Sequence, residues 1–458
     1  MARAKKEAVL TPEERLQAAL VPDWEWPYKL PENWCWTTVG AINQYVGISA
    51  DPTKAKNETF ELYSVPSSAD NYPEIVLGAD IGSTKQSVKK GDVLLCKINP
   101  RINRVWMVSK YTDHSLLASS EWIVIRNSRL ISNYLMWCFR SPYFRGYMLS
   151  NVSGIGGSLM RAQPKFVQGY PVPIPPLTEQ QRIVDRIESL FAKLDEAKKT
   201  AQAVVDSFET RKAAILHKAF TGDLTAKWRE EHGVGMDSWE KKALSDVVTE
   251  FKYGTSEKSD YNNDGIPVLR IPNIGDNGID LSDIKYLDHR NVDSESQVHE
   301  GDILIIRSNG SRDLVGKAVL VPELGCEYAY ASFLIRVKPN HSIINACYLT
   351  IFLNSMDARE QMFRRAKSSA GINNINAKEL GAISLTVPSP PEQDEIVHII
   401  NEMMGKEQQS KEAAEAVLDQ IDLMKKSILA RAFRGELGTN DPNEENAAEL
   451  LKRVLREE

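Results

Sequence analysis

The chain has 458 residues, 42% of them hydrophobic, and a formal net charge of −6. This length accommodates two or three cores, and no run of about eighteen apolar residues is present to span a bilayer. The charge excludes a uniformly cationic nucleic-acid binder, so any nucleic-acid surface is local or completed by partner chains.

Residues 1–30 read as an N-terminal arm: MARAKKEAVLTPEERL has no apolar secretory core, and 11–20 predicts a short helix. Trp24, Trp26 and Tyr28 then lie between prolines, where packing on the arm's own domain is a commoner fate than anchoring a partner. A first globular domain is expected over 31–175, with strands at 92–98 and 122–125 and a helix over 132–150 that restarts at Pro142.

Residues 176–234 predict a long helix and a linker. Ile183, Ile187, Leu190, Leu194, Ala197, Ala201, Val204, Phe208 and Ile215 fall at alternating spacings of four and three, with Arg211 in the remaining place. Pro175, Pro176 and a capping Thr178 mark its start and Gly222 its end, and a helix of roughly 40 residues is about 60 Å long. A second globular domain is expected over 235–387, a second long helix over 388–437 and a tail helix over 438–458. The tail helix is amphipathic, with Ala447, Leu451, Val454 and Leu455 on one side.

The second half repeats the first. Adding 213 converts Glu179-Gln180 into Glu392-Gln393, Ile215-Leu216 into Ile428-Leu429 and Gly222 into Gly435, so the two helices are matched in length. The second seam reads Ile396, Ile400, Met403, Glu407, Ser410, Ala414, Val417, Ile421, Met424 and Ile428, polar in its middle. Gly91-Asp92-Val93-Leu94 corresponds to Gly301-Asp302-Ile303-Leu304 at an offset of 210, and Asn99 to Asn309. The expected fold class is α+β: two repeated α/β domains separated by long helices that pair as an antiparallel coiled coil with pseudo-twofold symmetry. Two independent amphipathic surface helices are the alternative.

No phosphate-binding loop, GxGxxG, HExxH or GxSxG is present, and GSRDLVGK over 310–317 fails the Walker spacing and reads as a turn. The cysteines Cys35, Cys96, Cys138, Cys326 and Cys347 form no CxxC pair and read as reduced cytoplasmic thiols, and the seven histidines show no metal-ligand spacing. No catalytic residue, cofactor or metal is therefore expected on this chain. What remains is polar and basic sequence in predicted loops. The first domain offers Lys97, Asn99, Arg101, Asn103, Arg104 and Lys110, then Ser158, Arg161 and Gln163. The second offers Arg307, Ser308, Asn309 and Arg312, then Arg364, Arg365, Lys367, Asn373, Asn374 and Asn376. Arginine and lysine suit phosphates and guanine, and asparagine and glutamine suit adenine.

IPPLTEQQRIVDRIE with VPSPPEQDEIVHII, the helix ends KAAILHKAFTGDL and KKSILARAFRGEL, and the paired GDVLL and GDILI strands resemble the specificity subunit of a type I restriction-modification system along essentially the whole chain. That resemblance implies two target recognition domains, each reading one half of a split double-stranded DNA site, and helices that fix the gap and dock two methyltransferase subunits. Restriction subunits join these, and S-adenosylmethionine, ATP and Mg belong to the partner chains. It implies a cytoplasmic protein with no membrane partner and no residue-by-residue assignment of base readers. A coiled-coil adaptor for proteins and a stand-alone DNA-binding regulator are the competing readings.

If the helices act as a ruler, inserting four residues within 197–203 adds about 6 Å of helix. The methylated motif should then keep both half-sites while its gap grows by about one or two base pairs. Methylome sequencing reads the outcome, and an active mutant with an unchanged gap contradicts the ruler.

Overall fold

The computed structural model describes residues 11–456 apart from 154–159, 263, 277, 289–296, 370 and 371. It divides into two units, Met1–Ala201 with Ala416–Glu458, and Gln202–Glu415, each mixing helices with small sheets.

In the first unit the apolar run VLLC becomes the strand Val93–Cys96, with each residue at most 3% exposed, between Val105–Met107 and Trp122–Ile125. A five-stranded sheet lies beside it in the order Ser49–Ala50, Lys85–Ser87, Ser115–Ala118, Thr59–Tyr63, Glu74–Leu77. The helix expected over 132–150 is two helices, Ser132–Arg140 and Pro142–Ser150; Ser141 ends the first, and its hydroxyl accepts from Phe144 N to cap the second. The second unit follows the same plan. Ile303–Ile306 is entirely buried in the sheet Val248–Tyr253, Leu334–Pro339, Ile303–Ile306, Ala318–Leu320. The sheet Lys285–Leu287, Ile266–Leu269, Tyr328–Tyr330, Gln297–Val298 accompanies it.

The repeated Gly-Asp before each central strand has a physical reason. Gly91 (φ 91°) and Gly301 (φ 85°) make the left-handed turn into the strand, which a side chain would strain. Asp92 Oδ2 accepts from Lys89 N at 2.8 Å and Asp302 Oδ2 from His299 N at 2.8 Å, which closes the turn. Both carboxylates are buried beside an arginine of the neighbouring strand region: Arg126 binds Asp92 in a fork at 2.6 and 2.7 Å, and Arg336 Nε lies 3.9 Å from Asp302.

Each globular domain closes on itself before the chain enters a long helix. Cys35–Thr38 pairs antiparallel with Pro171–Ile174, and Glu240–Ala243 with Ser384–Val387. The Pro-Glu-Gln helix start then fastens the helix to the domain it has just left. Gln180 and Gln393 are fully buried; their Oε1 atoms accept from Ile131 N (3.0 Å) and Asn345 N (2.7 Å), and their Nε2 groups donate to Pro175 O (3.1 Å) and Pro388 O (2.8 Å). Glu392, also fully buried, accepts from Arg229 Nη1 (2.6 Å), Thr225 Oγ1 (2.7 Å) and Trp239 Nε1 (3.0 Å), all supplied by the segment after the first long helix. Glu179 holds the corresponding place in the first unit, where Thr439 Oγ1 (2.7 Å) comes from the segment after the second long helix and Arg182 Nη2 (2.7 Å) also binds Glu444. Thr178 is not the helix cap, because the helix already begins at Leu177 and the Thr178 hydroxyl donates to Glu444 instead.

The arm and the tail complete the first unit's core. The helix Pro12–Ala19, closed by a Thr11 capping box, buries Leu16 and Ala19 in the same cluster as Ala447, Leu450, Leu451 and Val454 of the tail helix Ala447–Val454. Leu450 takes an inward place alongside the expected residues, and Leu455 is half-buried. Tyr28 Oη donates to Phe433 O at 3.0 Å, whereas Trp24 is 85% exposed.

The helices pair antiparallel within each unit. In the first, Lys198 meets Asp422 and Asp195 meets Lys425; in the second, Arg211 meets Glu407 at 2.6 Å and Phe208 lies under Lys411, so partner numbers fall as the others rise. The second helix is continuous over Pro390–Ala432, but the first is broken into Leu177–Asp206 and Phe208–Thr221. Arg211, the charge in the seam, explains the break: its guanidinium takes the Val204 carbonyl (3.2 Å) and the Ser207 hydroxyl, a side chain inserted into the helical ladder. Ile183, Ile187, Ala201, Phe208, Ile215, Ile396, Ile400, Ala414 and Ile421 are buried and Leu190, Leu194, Val204 and Ile428 half-buried. Met403, Val417 and Met424, expected in the seam, are 36%, 41% and 48% exposed, and Ala197 is exposed too. The stripe steps 396, 400, 404 in fours because Met404 packs on the second domain's core, which shifts the inward face by one residue from a strict alternation.

Replacing Glu392 by alanine leaves Arg229 buried without its carboxylate and should cost about 3 kcal/mol or more. Denaturant unfolding measures the loss, and a change under about 0.5 kcal/mol, the scale of an ordinary surface substitution, contradicts the clamp.

Candidate nucleic-acid interface

In the first unit the strands Val93–Cys96 and Val105–Met107 are joined by a tip that carries Lys97, Asn99, Arg101 and Arg104. Two asparagines in the left-handed region, Asn99 (φ 46°) and Asn103 (φ 53°), bracket the turn Pro100–Ile102. Asparagine tolerates this conformation better than other side-chain-bearing residues, and such strain is characteristic of functional sites. The tip is held by its backbone: Ala162 N donates to Lys97 O (2.8 Å), Asn99 N to Met160 O (2.8 Å) and Asn103 Nδ2 to Arg140 O (3.1 Å). A bridge between Ile98 and Arg161 brings Arg161 beside it, with Gln163 next in line at the start of the helix Pro164–Val167.

The second unit builds the same arrangement more fully. Ser308–Asn309 pairs with Ile372–Asn374, which pairs with Lys367–Ser369, in the register Ser308 to Asn374 and Asn374 to Lys367. Ile98 with Arg161 and Ser308 with Asn374 are related by the repeat offsets found in the sequence, so each tip leans on the corresponding loop of its own domain. Arg307 lies 4.4 Å from the Tyr253 ring centroid and 3.4 Å from Asn374 Oδ1, Asn373 Nδ2 donates to Gly310 O (3.2 Å), and Arg312 lies over Phe363.

Thus Lys97, Asn99, Arg101, Arg104, Arg161 and Gln163 share one surface region, and Arg307, Ser308, Asn309, Arg312, Asn373 and Asn374 another, with the Lys367 backbone paired opposite Asn374. Lys110 lies on a different loop, and Ser158 falls outside the described residues. Asn376 caps the helix Ala377–Gly381 together with Glu379, and Arg365 donates to Gln361 O and Ala382 O, so both are occupied in holding the fold. Sequence reasoning passed over Tyr253, whose ring supports Arg307 and whose hydroxyl accepts from Ala377 N at 3.0 Å; its place in an apolar-polar alternation gave no separate signal. Among the described residues no cluster of histidine, cysteine or acidic groups has the geometry to hold a metal.

Lys110 (φ 61°) is set by a buried carboxylate. Glu61 accepts from Tyr63 Oη (2.7 Å), Tyr111 N (3.0 Å), Thr112 N (2.8 Å) and Thr112 Oγ1 (2.9 Å). Burial alone pushes its carboxyl up, but these donors outweigh burial and hold it below its ordinary 4.5. A depressed carboxylate stabilises above its unfolded value, and that stability is lost as pH falls through the folded one. Protection of the Tyr111 and Thr112 amides against hydrogen exchange should therefore fall below pH 4.5 relative to Glu61→Gln. Equal pH dependence in the two proteins contradicts this.

Comparison with known proteins places these features. The type I restriction modification DNA specificity domain matches residues 42–205 and again 236–416, one copy for each half. The EcoKI specificity subunit of Escherichia coli strain K12 is 28% identical over 348 residues, covering 73% of this chain and 74% of that protein. The StySPI specificity subunit of Salmonella potsdam is 26% identical, covering 73% of each chain. The HsdS subunit from Thermoanaerobacter tengcongensis shares the fold with a TM-score of 0.65 at 21% identity, over 90% of this chain and all of that one. A chain solved in a study of complex assembly and conformational transition of the type I R-M system superposes with a TM-score of 0.71 at 22% identity, over the same shares. With two domain copies spread over most of its length, the chain belongs to the type I restriction-modification DNA specificity family.

Proposed function

We propose that this chain is the sequence-specific DNA recognition subunit of a type I restriction-modification complex, in which the domains 31–175 and 235–387 each read one half of a bipartite duplex site. The observation that carries this reading is the pair of tips. Each emerges from its domain's buried Gly-Asp strand and leans on the corresponding loop, and the two differ in the residues they carry, Lys97, Asn99 and Arg101 against Ser308, Asn309 and Arg312. A constant support under a variable polar surface suits half-sites that change independently.

The chain itself performs no catalysis in this reading. Two methyltransferase subunits dock on the long helices and restriction subunits join them; S-adenosylmethionine, ATP and Mg act on those chains, in the cytoplasm where the host DNA lies. The helices fix the gap between half-sites. Neither tip nor the family match favours the adaptor reading.

With an acidic balance overall and only local basic tips, the isolated chain should bind duplex DNA weakly, and its methyltransferase partner should confer tight, site-selective binding. Fluorescence anisotropy at moderate salt with and without the partner tests this. Nanomolar, site-selective binding by the chain alone, unchanged by the partner, contradicts it.

A further inference from the structure

The arginines of the two globular domains are almost all engaged within the fold. In the first domain Arg126 is bound to Asp92, Arg140 to Val105 O, Arg145 to Arg101 O and Arg161 to Glu121, while Arg129 is also engaged and Arg104 is half-buried. In the second, Arg270 is bound to Asp283, Arg307 to Asn374, Arg336 to Glu250, Arg359 to Asp313 O, Arg364 to Glu360 and Arg365 to Gln361 O. Among the described residues this leaves one exposed guanidinium in each domain with no hydrogen bond or ion pair: Arg101 and Arg312.

Their positions correspond. Arg101 stands two residues after Asn99 and Arg312 three after Asn309, the residues related by the repeat, and both occupy the turn that follows the central strand. In each case the backbone beneath is fixed while the head group is open. Arg145 clamps the Arg101 carbonyl, and left-handed Asn99 and Asn103 lock the turn. Asn309 Oδ1 accepts from Ser311 N at 2.7 Å, Asn373 holds Gly310 O, and the Phe363 ring supports the Arg312 guanidinium at 5.2 Å. A planar fork on a rigid support, with its donors unspent, is what bidentate recognition of guanine O6 and N7 requires.

We propose that Arg101 and Arg312 are the specificity-determining residues of their respective domains, each reading one guanine in its own half-site. This rests on the DNA-recognition reading above and goes beyond it by separating two base readers from the remaining candidates. Arg161, turned to Glu121, and Arg307, turned to Asn374 over Tyr253, position the tips.

The test uses the full chain assembled with its methyltransferase partner, with methylome sequencing to define the native motif and duplexes carrying each single-base change to measure preference. Arg101→Lys, which keeps the charge and loses the fork, should reduce guanine preference at one position of one half-site by roughly 10- to 100-fold. The other half-site should stay intact and so report that the protein is folded. Arg312→Lys should do the same in the opposite half-site. Two outcomes overturn the proposal: lysine variants with the native motif, or a uniform fall in affinity that preserves every base preference, the behaviour of a phosphate contact. A native complex that selects no bipartite site overturns the underlying DNA-recognition reading instead and takes this proposal with it.

Discussion

The structure depends on a buried carboxylate at the start of each long helix. Glu179 and Glu392 are fully buried, and each ties the helix that it begins to residues just beyond the end of the other long helix: Thr439 for Glu179, and Thr225 with Arg229 for Glu392. Burial pushes the Glu179 carboxyl above its ordinary value, and Thr439 and Arg182 draw it back only in part. Such a pair contributes little net stability but strongly resists removal of one partner, so its chief effect is to fix position. Everything that must vary in this molecule lies away from these contacts.

The fixed part was the part legible in the sequence. Glu-Gln after proline, the left-handed Gly91 and Gly301, and apolar runs such as VLLC each have one physical solution, and the repeat at a constant offset exposed them twice. The break at Ser207 was less legible. Arg211 occupies a seam position by spacing, but that its guanidinium would take the Val204 carbonyl and Glu407 follows only from the partner helix lying alongside. Met403 is misplaced for a related reason: an idealised alternation ignores the globular core on which Met404 packs.

The candidate interface was legible as composition and not as roles. Sequence alone cannot separate an arginine held by an acid from one left open, because Arg126 and Arg101 are both polar-loop or strand-end residues until Asp92 is seen beside the first. Nor could it show that Asn376 caps a helix while Asn99 bends a turn. The tips therefore combine two levels of constraint: a support whose chemistry repeats at matched offsets, and a display whose residues do not.

The central claim is that each domain between its clamps is a self-contained reader. Exchanging residues 240–387 for the equivalent domain of a relative keeps Trp239 and its bond to Glu392, and methylome sequencing of a host carrying the hybrid with its partners then gives the motif. The account predicts one half-site replaced, with the other half-site and the gap unchanged. A folded, active hybrid that alters both half-sites would contradict it.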